Sequence, residues 1–326
     1  MTSDRHEWAL VLAAGEGTRL RSLTTGADGV AVPKQFCRIR GEASLLQTAL
    51  RRAGRVVPSQ RTLVVVAAHH RRWWERDLGG LAAENLIVQP RNRGTAAGVL
   101  LPLLEILRRD PEAKVLVLPS DHFVGQEGVL AASARRAFAE IDDRPETVVL
   151  LGIAPDTTDT EYGWISPGPT VSKGLFEVAS FVEKPGRKAA GLLRRRGGVW
   201  NSFIFAARGR MLLRLYERRL PGLVSGLSDA VAGRDSAVRR WSAVSAVYDR
   251  LPVHDFSGEL LQGSEETLRL LPVPACGWSD LGTPARVLSC LGPASLTPGP
   301  RAPVAPGSRA PHTGVGRKPE PAVVRL

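Results

Sequence analysis

Over residues 8–153 the chain alternates short, continuously apolar runs with stretches in which apolar residues recur every three or four positions. The runs at 8–13, 62–67, 85–88, 114–118 and 147–153 are rich in Val, Ile and Leu and read as strands. The segments at 44–52, 96–108 and 128–141 carry helical spacing. Strands that are apolar on both faces and separated by helices predict a Rossmann-like α/β fold, with a mostly parallel central sheet covered by helices on both sides. Ligands of such sheets sit at the carboxyl ends of the strands.

From Tyr162 the texture changes. Shorter strands at 163–166, 175–183 and 199–206 predict a mixed or antiparallel insertion, followed by helices at 208–219 and 221–232 and a return to strand at 267–273. No segment repeats at a fixed period, which excludes a solenoid. Beyond Cys290 the pattern disappears: residues 292–326 hold eight of the 24 prolines, one acidic and five basic residues. Such a composition cannot bury a core, so a disordered, basic, Pro-rich tail is expected. The expected organisation is one domain over 1–291, with a first half to about residue 155 and a second from about 156, and then the tail.

Composition changes this picture only slightly. At 326 residues there is enough apolar content for a large core. No run of eighteen apolar residues indicates a membrane span, and MTSDRHEW lacks the basic-then-apolar layout of a signal peptide. Cys37, Cys276 and Cys290 stand far apart without a CxxC, consistent with reduced thiols in a cytoplasmic protein. The net charge of +12 raises nucleic acid as a partner. However, the arginines are spread over several helix faces and aromatic stacking platforms are not interleaved with them. A polyphosphate substrate accounts for the charge without nucleic acid.

The candidate chemistry begins directly after the first strand, at GEGTRL. A dinucleotide fingerprint would need glycine at the position of Leu20, and no Walker A sequence is present. What remains is a glycine turn whose backbone N–H groups can cradle phosphate oxygens. Gly15 and Gly17 permit close approach, Thr18 offers a hydroxyl, Arg19 a bidentate fork and Lys34 a point charge. Taken singly, the later polar motifs have structural readings too. Asp121 and Asp280 could be capping aspartates, EKP a surface ion pair and WNS a core strand.

LAAGEGTRL followed by PKQF resembles the signature of the sugar-1-phosphate nucleotidyltransferases, most of all the mannose-1-phosphate guanylyltransferases. The resemblance covers about residues 8–290 and continues in order through QPRNRGTAA, LPSDH, EYGWI, FVEKP, WNSFIF and GWSDLGTP. It implies an Mg²⁺-dependent enzyme of the nucleotide-diphospho-sugar transferase fold that takes an NTP and a sugar 1-phosphate, here GTP and mannose 1-phosphate, with a homodimer as the candidate assembly. By the same resemblance Ala13, Ala14, Gly15, Gly17, Thr18, Gln89, Asn92, Gly94 and Thr95 would surround the nucleotide. Arg19, Lys34 and Asp121 would be catalytic, and Asp121 with Asp280 would hold the metal. Gly163, Glu183 and Asn201 would hold sugar hydroxyls, and Lys184 would meet the sugar phosphate. Two residues depart from the family pattern: Phe203 stands where glycine commonly follows WNS, and Val32 where tyrosine often precedes PKQF.

Overall fold

The computed structural model describes residues 3–26, 28–38, 43–232 and 237–291. The Pro-rich tail at 292–326 therefore lies outside the described residues. Among the described residues nine strands form one mixed sheet: β1 (Glu7–Ala13), β2 (Thr62–Ala67), β3 (Leu86–Gln89), β4 (Lys114–Pro119), β5 (Val148–Ile153), β6 (Trp164–Ser172), β7 (Leu175–Val182), β8 (Val199–Arg208) and β9 (Leu268–Val273). Their order is β3-β2-β1-β4-β8-β5-β9-β7-β6. β3, β2, β1 and β4 run parallel, β8 lies antiparallel between β4 and β5, and β9 is parallel to β5. The strands of the second half thus continue the same sheet, with β8 inserted among those of the first half and β9 joining β5 to β7.

The chain leaves β1 toward β2 and β3, then returns to the other side of β1 to form β4. That reversal opens a crevice between the carboxyl ends of β1 and β4, the switch point where α/β sheets bind ligands. Side chains of β1 alternate between two cores. Ala9, Val11 and Ala13 enter one, and Trp8 and Leu10 the other. Every residue of β2, β4 and β5 is buried, the consequence of helices on both faces.

The helix Leu45–Ala53 starts one residue after the expected position because Ser44 is its N-cap: Gln47 N–H donates to Ser44 Oγ at 3.1 Å, and Ser44 N–H donates to Gln47 Oε1 at 3.0 Å. The helices Gly94–Arg109 and Glu127–Asp143 each extend beyond the expected spans. β6 runs six residues past the expected end at 166, through Pro167 and Pro169. Proline is tolerated there because β6 is the edge strand and its register with β7 shifts at Ser166/Pro167. The spacing does not predict helices Arg71–Asp77 and Arg187–Arg195. In the second, Ala190 is the single buried residue, so there is little apolar stripe to read. Among the described residues no helix is long and apolar enough to cross a membrane.

Candidate active site

The loop after β1 is shaped by two contacts from the PKQF segment. Gln35 donates through Nε2 to the carbonyls of Ala13 at 3.1 Å and Gly15 at 2.9 Å, which fixes the strand exit. Gly17 adopts φ 62°, and a Cβ there would stand 2.8 Å from Lys34 N. Glycine is therefore required both by the left-handed backbone and by the approach of Lys34.

Lys34 is nearly buried and joins two distant segments. Its Nζ lies 2.8 Å from Asp121 Oδ2 and also donates to the backbone carbonyl of Asp280. A short antiparallel bridge, Phe123 with Ser279, holds the two aspartate loops side by side. Asp121 caps no helix, since the next helix begins at Glu127. Burial works to raise its carboxyl, but the Lys34 ammonium and His122 outweigh this, and the net direction is down. Burial pushes the His122 imidazole down to about 4, leaving it neutral near pH 7.

Asp280 sits in a tighter network. Its Oδ1 accepts from Tyr162 Oη at 2.7 Å, Arg286 Nη1 at 2.8 Å and Gly282 N at 2.9 Å. Arg286 also pairs with Asp159 and lies over the Tyr162 ring, 4.2 Å from its centroid. Burial would raise the Asp280 carboxyl, but His122, Tyr162 and Arg286 together hold it below its ordinary 3.8. A carboxyl lowered by folding stabilises the protein above its unfolded pKa, and that contribution is lost as pH falls through the folded value. Asp280→Asn is therefore expected to lower the Tm most near pH 7 and progressively less as the pH falls below 3.8, a difference read by melting both proteins across pH.

A cavity of about 510 Å³ opens at the switch point. Ala14, Gly15 and Arg19 line it from the first loop, Gln89, Asn92, Gly94 and Thr95 from the end of β3, and Asp121 from the end of β4. Ala13, Gly17, Thr18, Lys34 and Asp280 do not line it; Lys34 acts on it through Asp121. Gly163, Glu183, Lys184 and Asn201 form an adjoining cluster in the second half of the chain. There Asn201 N–H donates to the Gly163 carbonyl at 2.8 Å and Lys184 Nζ lies 2.9 Å from Glu183 Oε1. Burial raises the Glu183 carboxyl against the opposing pull of Lys184. Arg19, half-exposed, lines the cavity and pairs with Glu161, two residues before Gly163, at 2.9 Å.

Some residues do structural work beside any ligand role. Thr95 Oγ1 donates to Asp255 Oδ1 at 3.1 Å and accepts from Phe256 N–H at 2.8 Å, and Asn92 Oδ1 accepts from Gly94 N–H at 3.0 Å. His254 and Asp255 thereby join the cavity wall, although no motif marks them: they lie some 160 residues from Thr95 in a loop without periodicity. Tyr162 and Trp278 stand inside the quoted motifs without an assigned role, yet their rings pack 5.6 Å apart beside the aspartates.

The described residues outside glycine take left-handed φ at three places: Lys184 at 45°, Phe203 at 58° and Leu281 at 47°. These positions fall in EKP, WNSF and WSDL. Non-glycine strain of this kind gathers where a fold must aim side chains at a ligand. Phe203 also presents its ring to the cavity, against Phe205 and Phe256.

For a metal, Asp121 and Asp280 supply hard, ionised oxygen donors on adjacent loops, a donor set that fits Mg²⁺ when phosphate oxygens and water complete the shell.

A glycine turn after β1, a cavity at the switch point and two aspartate loops joined by Lys34 place the ligand site of this α/β fold at its strand ends. Residues 8–290 match the model of the family described as nucleotidyl transferase, and the chain belongs to that family. It is similar to the mannose-1-phosphate guanylyltransferase of Escherichia coli (strain K12), with 30% identity over 290 residues, 85% of this chain and 58% of that protein. It resembles the mannose-1-phosphate guanylyltransferase ManC of Salmonella typhimurium to the same degree, 30% over 285 residues. The chain thus spans 58% of the length of these curated relatives. A crystal structure described as mannose-1-phosphate geranyltransferase from Thermus thermophilus superposes with a TM-score of 0.74 at 30% identity, covering 88% of this chain and 79% of that one. UDP-glucose pyrophosphorylase complexed with UDP-glucose, at 12% identity and TM-score 0.57, shares the fold.

Proposed function

We propose that this chain transfers a nucleotidyl group from an NTP to a sugar 1-phosphate with release of pyrophosphate, and that GTP, mannose 1-phosphate and Mg²⁺ are its substrates and cation. The observation that carries the reading is the switch-point cavity. It is lined at once by the phosphate loop with Arg19, by Gln89 to Thr95 and by Asp121, with Lys34 behind Asp121. Residues 1–291 are the proposed catalytic unit, with the nucleotide half to about residue 155 and the sugar-binding half beyond it.

In the proposed reaction a phosphate oxygen of the sugar phosphate attacks the α-phosphorus. The bond to the bridging oxygen breaks and pyrophosphate carries away the charge. No covalent enzyme intermediate is needed, so the protein contributes position and charge neutralisation. Arg19 forks onto the phosphates and Lys34 supplies a fixed positive charge between the two aspartate loops. Asp121 and Asp280 would hold Mg²⁺, which when bound draws phosphate oxygens together and offsets their charge. Gly163 backbone, Glu183 and Asn201 would receive the sugar hydroxyls. Lys184, half-exposed beside Glu183, would meet the sugar phosphate.

The test is pyrophosphate release over GTP, UTP, dTTP, CTP and ATP against mannose, glucose, galactose, N-acetylglucosamine and heptose 1-phosphates, with and without Mg²⁺. Magnesium-dependent turnover is expected to peak with GTP and mannose 1-phosphate; a different best pair would move the specificity, and no turnover would remove the reading. Lys184→Ala should raise the KM for sugar phosphate by about tenfold or more, the scale of one lost charged contact, and leave the KM for NTP nearly unchanged. An effect confined to NTP would show that Lys184 is misplaced.

Phe203→Gly tests the departure at WNSF. The change relieves about 1 kcal/mol of left-handed strain while removing a ring that packs on Phe256. A modest change in Tm is therefore expected, together with a clear shift in the ranking of sugar phosphates, measured over the same grid.

A further inference from the structure

One cluster beside the cleft carries chemistry that the proposed transfer does not use. Glu16 stands between Gly15 and Gly17 in the loop after β1. His69 and His70 close the turn Ala68–His70 after β2, the strand paired with β1 through Ala13 and Val66. His69 Nε2 lies 3.1 Å from Glu16 Oε1 and 3.2 Å from Oε2, and His70 Nε2 lies 3.6 Å from Oε2. One ligand atom from each residue falls within 4.8 Å of the others. Ligand atoms of a tetrahedral zinc site, bonded at about 2.0–2.1 Å, stand about 3.3 Å apart. The separations to Glu16 bracket that value.

His70 adds an independent observation. It is only 3% exposed, and its Nδ1 is buried with no hydrogen-bond partner among the described residues. At 3.6 Å its Nε2 is also too far from Glu16 for a hydrogen bond. The orphaned Nδ1 costs free energy, and Nε2, the nitrogen that faces Glu16, is the one that a cation held between Glu16 and the two imidazoles would engage. Burial, then His69, hold the His70 imidazolium down against the pull of Glu16. A cavity of about 200 Å³ beside Glu16, His69 and His70 leaves room for a further ligand such as water, and Arg21 lies on its wall.

We propose that Glu16, His69 and His70 form a binding site for a borderline-soft divalent cation of the Zn²⁺ type, and that loading it ties the Gly15–Gly17 loop to the end of β2. Two imidazoles and one carboxylate suit Zn²⁺ and other late first-row ions, whereas Mg²⁺ takes oxygen donors and keeps its water. The site is therefore chemically distinct from Asp121 and Asp280, and it stands whether or not the chain transfers nucleotides.

The test uses the full chain, stripped with a chelator and titrated with Zn²⁺ by calorimetry in excess Mg²⁺. A parallel Co²⁺ titration is read by its visible bands. One Zn²⁺ per chain and a low-coordinate Co²⁺ spectrum are expected. His69→Ala changes a half-exposed side chain and should fold. It is expected to weaken Zn²⁺ binding by at least about 100-fold, beyond the typical loss for an outer-shell partner, and to abolish the Co²⁺ bands. Hydrogen exchange at residues 14–18 should slow on adding Zn²⁺ to the unmodified chain and stay unchanged in the variant. Absence of binding, equal binding by the two proteins, or displacement by Mg²⁺ would each overturn the site. Binding without slowed exchange would overturn the tether.

Discussion

Asp121→Asn is expected to lower turnover by about 100- to 1000-fold, the scale for removing one preorganised electrostatic group from a reacting centre, while the folded state survives. The substitution keeps shape and removes charge. Asp121 follows Ser120, whose N–H donates to the Leu12 carbonyl at 3.0 Å and anchors the loop to β1 independently of the carboxylate. What changes is the negative charge facing Lys34 Nζ at 2.8 Å and facing the cavity. Without it a divalent cation loses an oxygen donor and Lys34 loses its counter-charge. The Mg²⁺ concentration for half-maximal rate should rise along with the fall in kcat. Measuring pyrophosphate release against Mg²⁺ for both proteins separates these effects, with circular dichroism to confirm folding. Unchanged turnover would remove Asp121 from the chemistry.

The second large effect is expected at Gly94, where no charge is involved. Gly94 adopts φ 84°, and a Cβ there would lie 2.8 Å from the His254 carbonyl carbon and closer still to its oxygen. Both neighbours are backbone, so no side chain can turn aside. Gly94→Ala must push residues 92–95 away from 254–256. That displacement strains the bonds from Ala96 N–H to the His254 carbonyl at 3.1 Å and from His254 N–H to the Arg93 carbonyl at 3.1 Å. It also strains the contacts of Thr95 with Asp255 and Phe256. Losing a left-handed glycine costs about 1 kcal/mol, and each strained hydrogen bond adds about 1 kcal/mol. A fall in Tm of at least about 5 °C is expected on the usual scaling, with a rise in the KM for NTP that exceeds any rise for sugar phosphate. Equal Tm and KM values would mean that the two loops do not clasp in solution.

These two sites differ in how far the chain announces them. Asp121 lies just past the end of an apolar strand, where a parallel sheet places its ligands, so its neighbourhood is legible in the sequence. The partner of Gly94 was not, because His254 and Asp255 carry no pattern and meet the β3 loop only when the helix Ala237–Arg250 delivers them there. EKP reads locally as a surface ion pair, and Lys184 does pair with Glu183. Its left-handed backbone, which no composition or period encodes, is what sets it apart from an ordinary surface lysine.

By itself, the sequence determined the strands of the first half, three of the helices between them and the places where chemistry would gather. Burial on a strand or helix repeats every two or 3.6 residues, and a glycine turn after a strand is a local event. Tertiary structure alone decided that β8 enters between β4 and β5, that Lys34 joins the loops of Asp121 and Asp280, and that Arg286 and Tyr162 hold the Asp280 carboxylate. It also brought Glu16 to His69 and His70 across two strands. Such meetings depend on how every element packs against the rest of the core, a sum over the whole chain that no short window of residues contains.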